Sequence, residues 1–116
     1  MKLRDVVSRI SIDPRKLTDY ALEPARLKGA DKAVMFRQHL GFTQDNFQLL
    51  LAQLEAQALD AEAIPGVKDQ HGQRFQVDLA IMGVEPGQQE IVRTGWIVRP
   101  GEDLARLATL YVRRRG

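Results

Sequence analysis

"RFQVDLAI", residues 74–81, alternates without a break, Phe75, Val77, Leu79 and Ile81 set against Arg74, Gln76, Asp78 and Ala80. A period of two sends successive side chains to opposite faces, so this stretch predicts a half-buried strand. His71-Gly72 just ahead of it predicts a tight turn, with residues around 63–68 pairing back as a hairpin. Glu85-Pro86-Gly87 predicts a second turn. Two more strands follow at about 90–98 and 107–113, parted by Arg99-Pro100-Gly101-Glu102-Asp103.

Upstream the pattern is helical. Asp13-Pro14 reads as a helix start, because Asp caps free backbone N–H groups and Pro is tolerated at the first helical position. That helix ends near Leu22, before Glu23-Pro24. A second helix is predicted over 31–40 and closed by Gly41 as a left-handed cap. Thr43 then caps a third, in which Phe47, Leu50, Leu51, Leu54 and Ala58 form one apolar stripe. Ile64-Pro65-Gly66 breaks the helical pattern. Helices first and strands after predict an α+β fold: N-terminal helices packed on one face of a three- to four-stranded antiparallel sheet. We expect a single domain over 1–116, with helices at about 13–59, the sheet at about 63–113 and a basic C-terminal tail at 113–116.

The composition narrows the function classes. A chain of 116 residues, 44% hydrophobic and 28% charged, has the balance of a soluble globular domain. No apolar run is long enough to span a bilayer. Met1-Lys2-Leu3-Arg4-Asp5 lacks the layout of a secretory signal, so a cytoplasmic location is expected. With no cysteine, disulfides, thiolate metal sites and cysteine nucleophiles are excluded, and only His39 and His71 could assist carboxylates. No metal and no cofactor are expected, and no phosphate-binding glycine loop or nucleophile elbow occurs.

The net charge of +2 is unevenly spread. Residues 1–37 carry nine basic and five acidic side chains, 38–90 two and eight, 91–116 six and two. If the ends meet in space they form a positive surface able to attract phosphates; otherwise they are ordinary solvated charge.

The last two strands, in "IVRTGWIVRP" (91–100) and "LARLATLYVRRR" (104–115), carry most of the candidate chemistry. Thr109, Tyr111 and Arg113 share one face, and Arg93 points away from Thr94 and Trp96. With the register unknown, either Arg93 or the pair Thr94 and Trp96 joins the polar face. Thr, Tyr and Trp also favour strands simply because they fit a pleated surface. On the second helix Lys32, Phe36 and His39 project to nearly one side, where Lys32 could clamp a phosphate or merely cover Phe36. His71 suits the turn it lies in, the alternative being a catalytic base on a mobile loop.

The stretches "DPRKLTDYAL", "DKAVMFRQHLGF", "DQHGQRFQVDL" and "RTGWIVRPGEDLARLATLYV" resemble a bacterial family catalogued as a domain of unknown function, family 6883. The resemblance covers residues from about 10 to 113. Its order of helices and strands is similar to the small ribonuclease toxins that include RelE, barnase and colicin-type transfer-RNA cleavers. The resemblance implies a toxin-like, metal-independent endoribonuclease with RNA as substrate and a small antitoxin-like protein as partner. Lys32 and Arg93 would then be the cations, Tyr111 a proton donor or stacking ring, Thr109 and Thr94 phosphate donors, Trp96 a stacking platform and Arg113 a further phosphate contact. The alternative is a non-catalytic protein-binding module that uses the polar sheet face or an edge strand, through which a homodimer could also form.

Overall fold

The computed structural model describes residues 1–25 and 30–113. Its strands are β1 (Arg9–Ser11), β2 (Ala63–Asp69), β3 (Gly72–Met82), β4 (Gln89–Val98) and β5 (Leu104–Val112), in the sheet order β1-β5-β4-β3-β2. The hairpins β2–β3, β3–β4 and β4–β5 are antiparallel, whereas β1 lies parallel to β5. The expected three- to four-stranded antiparallel sheet is thus corrected to a mixed sheet of five among the described residues. Three residues of Arg-Ile-Ser are too few to show a period, and a strand parallel to a distant partner has no turn to announce it.

β1 is fixed from its flank. The Ser8 amide donates to the Asp103 carboxylate at 2.8 Å, and the Ser8 hydroxyl donates to the other carboxylate oxygen. These bonds, the hydroxyl's first, hold Asp103 below its ordinary 3.8. A depressed folded-state value stabilises the fold above the ordinary one and is lost as acid protonates the carboxylate. The melting midpoint is therefore expected to fall as pH drops below 3.8. Asp103→Asn should lower it at neutral pH and flatten that acid-side slope, as thermal denaturation followed across pH would record.

At the other edge the chain start meets β2. Leu3 donates to the Ala61 carbonyl at 3.0 Å, Ala63 donates to that of Met1 at 2.7 Å, and the terminal ammonium pairs with Glu62 at 2.8 Å. The first residues thus reach from the β2 edge to the β5 edge, burying Leu3 and Val7 on the way.

The first helical segment differs from the expected helix. Lys16–Ala21 winds as a π-type turn, with the Leu22 amide bonded to the Leu17 carbonyl five residues back at 2.8 Å. Asp13 caps no α-helix; its carboxylate accepts from the Arg15 amide at 3.0 Å and grips the Arg15 guanidinium, which lowers its pKa to about 2. The second helix is α1 (Ala30–Leu40), ended by Gly41 at φ 75°. Thr43 caps a 3-10 turn, Gln44–Asn46, that leads into α2 (Phe47–Gln57), so the cap stands one turn earlier than the α-helix proper. No helix among the described residues is long and apolar enough to cross a membrane. Of the basic tail expected at 113–116, only Arg113 lies within the described residues.

The core gathers Phe36 and Leu40 of α1, Leu50 and Leu54 of α2, and one face of the sheet, including Val77, Leu79, Val92, Trp96, Leu110 and Val112. A slip in pairing between Gly95 and Trp96 places Gly95 opposite Thr109 and Trp96 opposite Leu107, leaving Ala108 unpaired. This bulge inverts the phase of β5. It buries Leu107 before it and Leu110 after it, and turns Thr109 and Tyr111 outward.

Among the described residues, Thr94 is the polar side chain that is buried in this core. Its hydroxyl accepts from the Trp96 indole N–H at 2.7 Å and donates to the Val77 carbonyl at 2.6 Å. Thr94→Val keeps the shape but strands a buried donor, an expected loss of about 1–3 kcal/mol. Thr94→Ser should recover most of it in denaturant titrations.

Candidate functional site

On the outward face, pairing aligns Asp78 of β3, Arg93 of β4 and Tyr111 of β5 in one row. Side chains opposite one another on adjacent strands stand close enough to interact. Arg93 presents its fork to Asp78, Nε to Oδ1 at 3.0 Å and a terminal nitrogen to Oδ2 at 3.1 Å. Asp78, and after it the Tyr111 hydroxyl, raise the Arg93 pKa beyond its already high ordinary value. Arg93 is thus a permanent cation and takes no part in proton exchange. Arg113, one residue past β5, reaches the same Asp78 oxygen at 3.4 Å.

Lys32 comes from the first turn of α1, which packs beside β5. Its ammonium stands 5.6 Å from the centre of the Tyr111 ring, within cation–π range. Between helix and sheet lies an open pocket of about 450 Å³, lined by Asp31, Lys32, Met35, Arg93, Tyr111, Val112 and Arg113. Lys32, Arg93 and the neighbouring pair Tyr111 and Arg113, from three separate parts of the sequence, therefore surround one space. Among the described residues no group of three or more metal-ligating side chains occurs.

The remaining candidates lie elsewhere. Thr109 is exposed on the same outward face, one row along from Tyr111 and opposite Gly95. Thr94 and Trp96 are 0% and 1% exposed and point into the core, so neither the phosphate contact nor the stacking platform has a surface to act from. The register resolves the open choice of face in favour of Arg93. His39 approaches Glu90 at 4.0 Å, and the His71 amide bonds to Asp69 at 2.8 Å within its turn; neither lines the pocket.

The sequence carries no distinct signal for two carboxylates at the site. Asp78 belongs to the polar set of the 74–81 alternation, and knowing that it faces Arg93 would have singled it out. Asp31 is adjacent to Lys32 and showed no pattern of its own.

A family model described as Domain of unknown function (DUF6883) matches residues 2–114. The chain belongs to this family. The match takes in both walls of the pocket, Lys32 on α1 and Arg93, Tyr111 and Arg113 on the sheet, so the site lies within the DUF6883 domain. No curated protein and no solved structure matches the chain.

Proposed function

We propose that this DUF6883 chain is a toxin-like, metal-independent endoribonuclease of the bacterial cytoplasm, held in check by a small antitoxin-like partner. The observation that carries the reading is the convergence of Lys32, Arg93 and Arg113 with the Tyr111 hydroxyl on one open pocket. Three cations suit a phosphate, and Arg93 is aligned by Asp78 before any ligand arrives, which is how a preorganised charge best stabilises a transition state.

In the proposed reaction the ribose 2′-oxygen attacks its neighbouring phosphorus and the bond from phosphorus to the 5′-oxygen breaks. Asp78 is occupied by two arginines, so Asp31 accepts the 2′-hydroxyl proton. Tyr111 donates a proton to the departing 5′-oxygen, while Lys32 and Arg93 neutralise the charge gathering on the phosphoryl oxygens. The products are a 2′,3′-cyclic phosphate and a 5′-hydroxyl.

Incubation with total bacterial RNA in a chelator, followed by mapping of fragment ends, tests the reading. Discrete cuts are expected from the native protein, with Tyr111→Phe slower by about 10²–10⁴-fold, the usual worth of a positioned proton donor. Intact RNA from folded, partner-free protein would refute it.

A second reading rests on β2. This edge strand exposes Ile64 and Val67, 59% and 65% accessible, and its pairing with β3 is interrupted between Pro65 and Lys68. A partner protein could pair along it, and a module of that kind would keep its partner after Lys32→Ala and lose it after Val67→Asp.

A further inference from the structure

On one side of the pocket row, two further rows cross β3, β4 and β5 on the outward face. The next contains Gln76, Gly95 and Thr109, and the one beyond it Arg74, Ile97 and Arg106. Successive rows are two residues apart along the strands, about 7 Å at the rise of a β-strand, so the pocket row and the farther row stand about 14 Å apart. This face is not sealed by packing. Arg74, Gln76, Asp78, Ala80 and Met82 of β3 all keep part of their surface in solvent, as do Arg93, Gly95 and Ile97 of β4.

The middle row is low. A Cβ added at Gly95 would stand 2.7 Å from the Thr109 hydroxyl oxygen, so that hydroxyl already occupies the only side-chain space over β4 there. What remains is a saddle floored by backbone, a hydroxyl and the Gln76 amide, with cations at either end. Arg106 pairs with Glu102 at 3.3–3.4 Å in a half-exposed contact, of a kind that contributes little and yields readily to a phosphate. Arg74 is exposed and makes no ion pair among the described residues.

We infer that this face is a track for single-stranded RNA, running from the Arg93–Tyr111 pocket across the Gly95 saddle to Arg74 and Arg106. The inference rests on the pocket binding an RNA phosphate and adds the direction and extent of the strand. Charge complementarity favours a polyanion, because Lys32, Arg74, Arg93, Arg106 and Arg113 outnumber Asp31, Asp78 and Glu102. The spacing of the cationic rows and the saddle between them fit an extended chain of a few nucleotides, whereas a rigid duplex would bridge the saddle without entering it. With Trp96 buried, Tyr111 is the aromatic ring at the pocket end of the track, and phosphate contacts with stacking on a single ring tolerate sequence.

Calorimetric titration with 2′-O-methyl oligonucleotides, which cannot be cleaved, separates the track from the pocket. The native protein should bind a six-nucleotide strand roughly tenfold more tightly than a dinucleotide, through added phosphate contacts. Arg74→Ala with Arg106→Ala should abolish that gain, leave dinucleotide binding unchanged and reduce the salt slope by about 1.4, or about 0.7 for each lost phosphate contact. A six-mer no tighter than the dinucleotide, a gain that survives both substitutions, or equal binding of duplex RNA would overturn the track. If the dinucleotide fails to bind while six-mer binding still needs both arginines, the pocket reading falls and the track loses its pocket end, which leaves the Arg74 and Arg106 row as the RNA contact.

Discussion

Trp96→Ala is expected to lower the free energy of unfolding by about 3–5 kcal/mol, the range for deleting a large aromatic side chain from a packed core. The indole is 1% exposed, packs in the cluster that joins both α-helices to the sheet, and donates its N–H to a hydroxyl that has no access to water. The loss combines vanished apolar burial, the cavity left behind and the indole N–H bond to Thr94, whose hydroxyl keeps its bond to the Val77 carbonyl. Chemical denaturation of the two proteins measures it. A base-stacking tryptophan on the surface would give the opposite result: near-native stability with weakened RNA binding.

The second large effect falls on the outward face. In the proposed ribonuclease reaction, Arg93→Gln should reduce cleavage by about 10²–10³-fold, the loss typical of removing one preorganised charge-stabilising donor. Stability should change far less, because Arg93 and Asp78 are partly solvated and Arg113 still reaches Asp78. Arg93→Lys should recover only part of the rate, since a single ammonium cannot reproduce the two-pronged grip on Asp78 and so sits less firmly beside Tyr111. Equal rates for Arg93→Gln and native protein, on any RNA the native protein cuts, would remove Arg93 from the mechanism.

The two substitutions lie only three residues apart on one strand, and their contrast follows from the pleat. Sequence period alone could say that Arg93 and Trp96 point to opposite faces, but not which face is buried. That depended on the pairing of β4 with β3 and on the bulge in β5. The strand over 74–81 was legible because its alternation is strict, and α2 because Leu50, Leu54 and Ala58 repeat at helical spacing. β1 was not legible. Its three residues gain stability from a partner nearly a hundred positions away, a non-local pairing that leaves no local mark. At Lys16–Ala21 the sequence predicts an ordinary helix start because Asp13-Pro14 satisfies the capping pattern, whereas the segment winds as a π-type turn and the Asp13 carboxylate is taken up by Arg15. At the site, the resemblance groups Lys32, Arg93, Tyr111 and Arg113 by role, and the fold shows that they share a pocket and that Asp78 aligns two of them.

The most direct test of the account is the chemistry of the cut ends. A synthetic RNA that the protein cleaves would be digested in a chelator and its fragments weighed by mass spectrometry, beside the same strand carrying a single 2′-deoxy sugar at the cleaved position. Attack by the 2′-oxygen predicts 2′,3′-cyclic phosphate and 5′-hydroxyl ends, and no cut at the deoxy position. Fragments ending in 3′-hydroxyl and 5′-phosphate, or a cut that tolerates the deoxy sugar, would contradict the assignment of Asp31, Lys32, Arg93 and Tyr111 to this reaction.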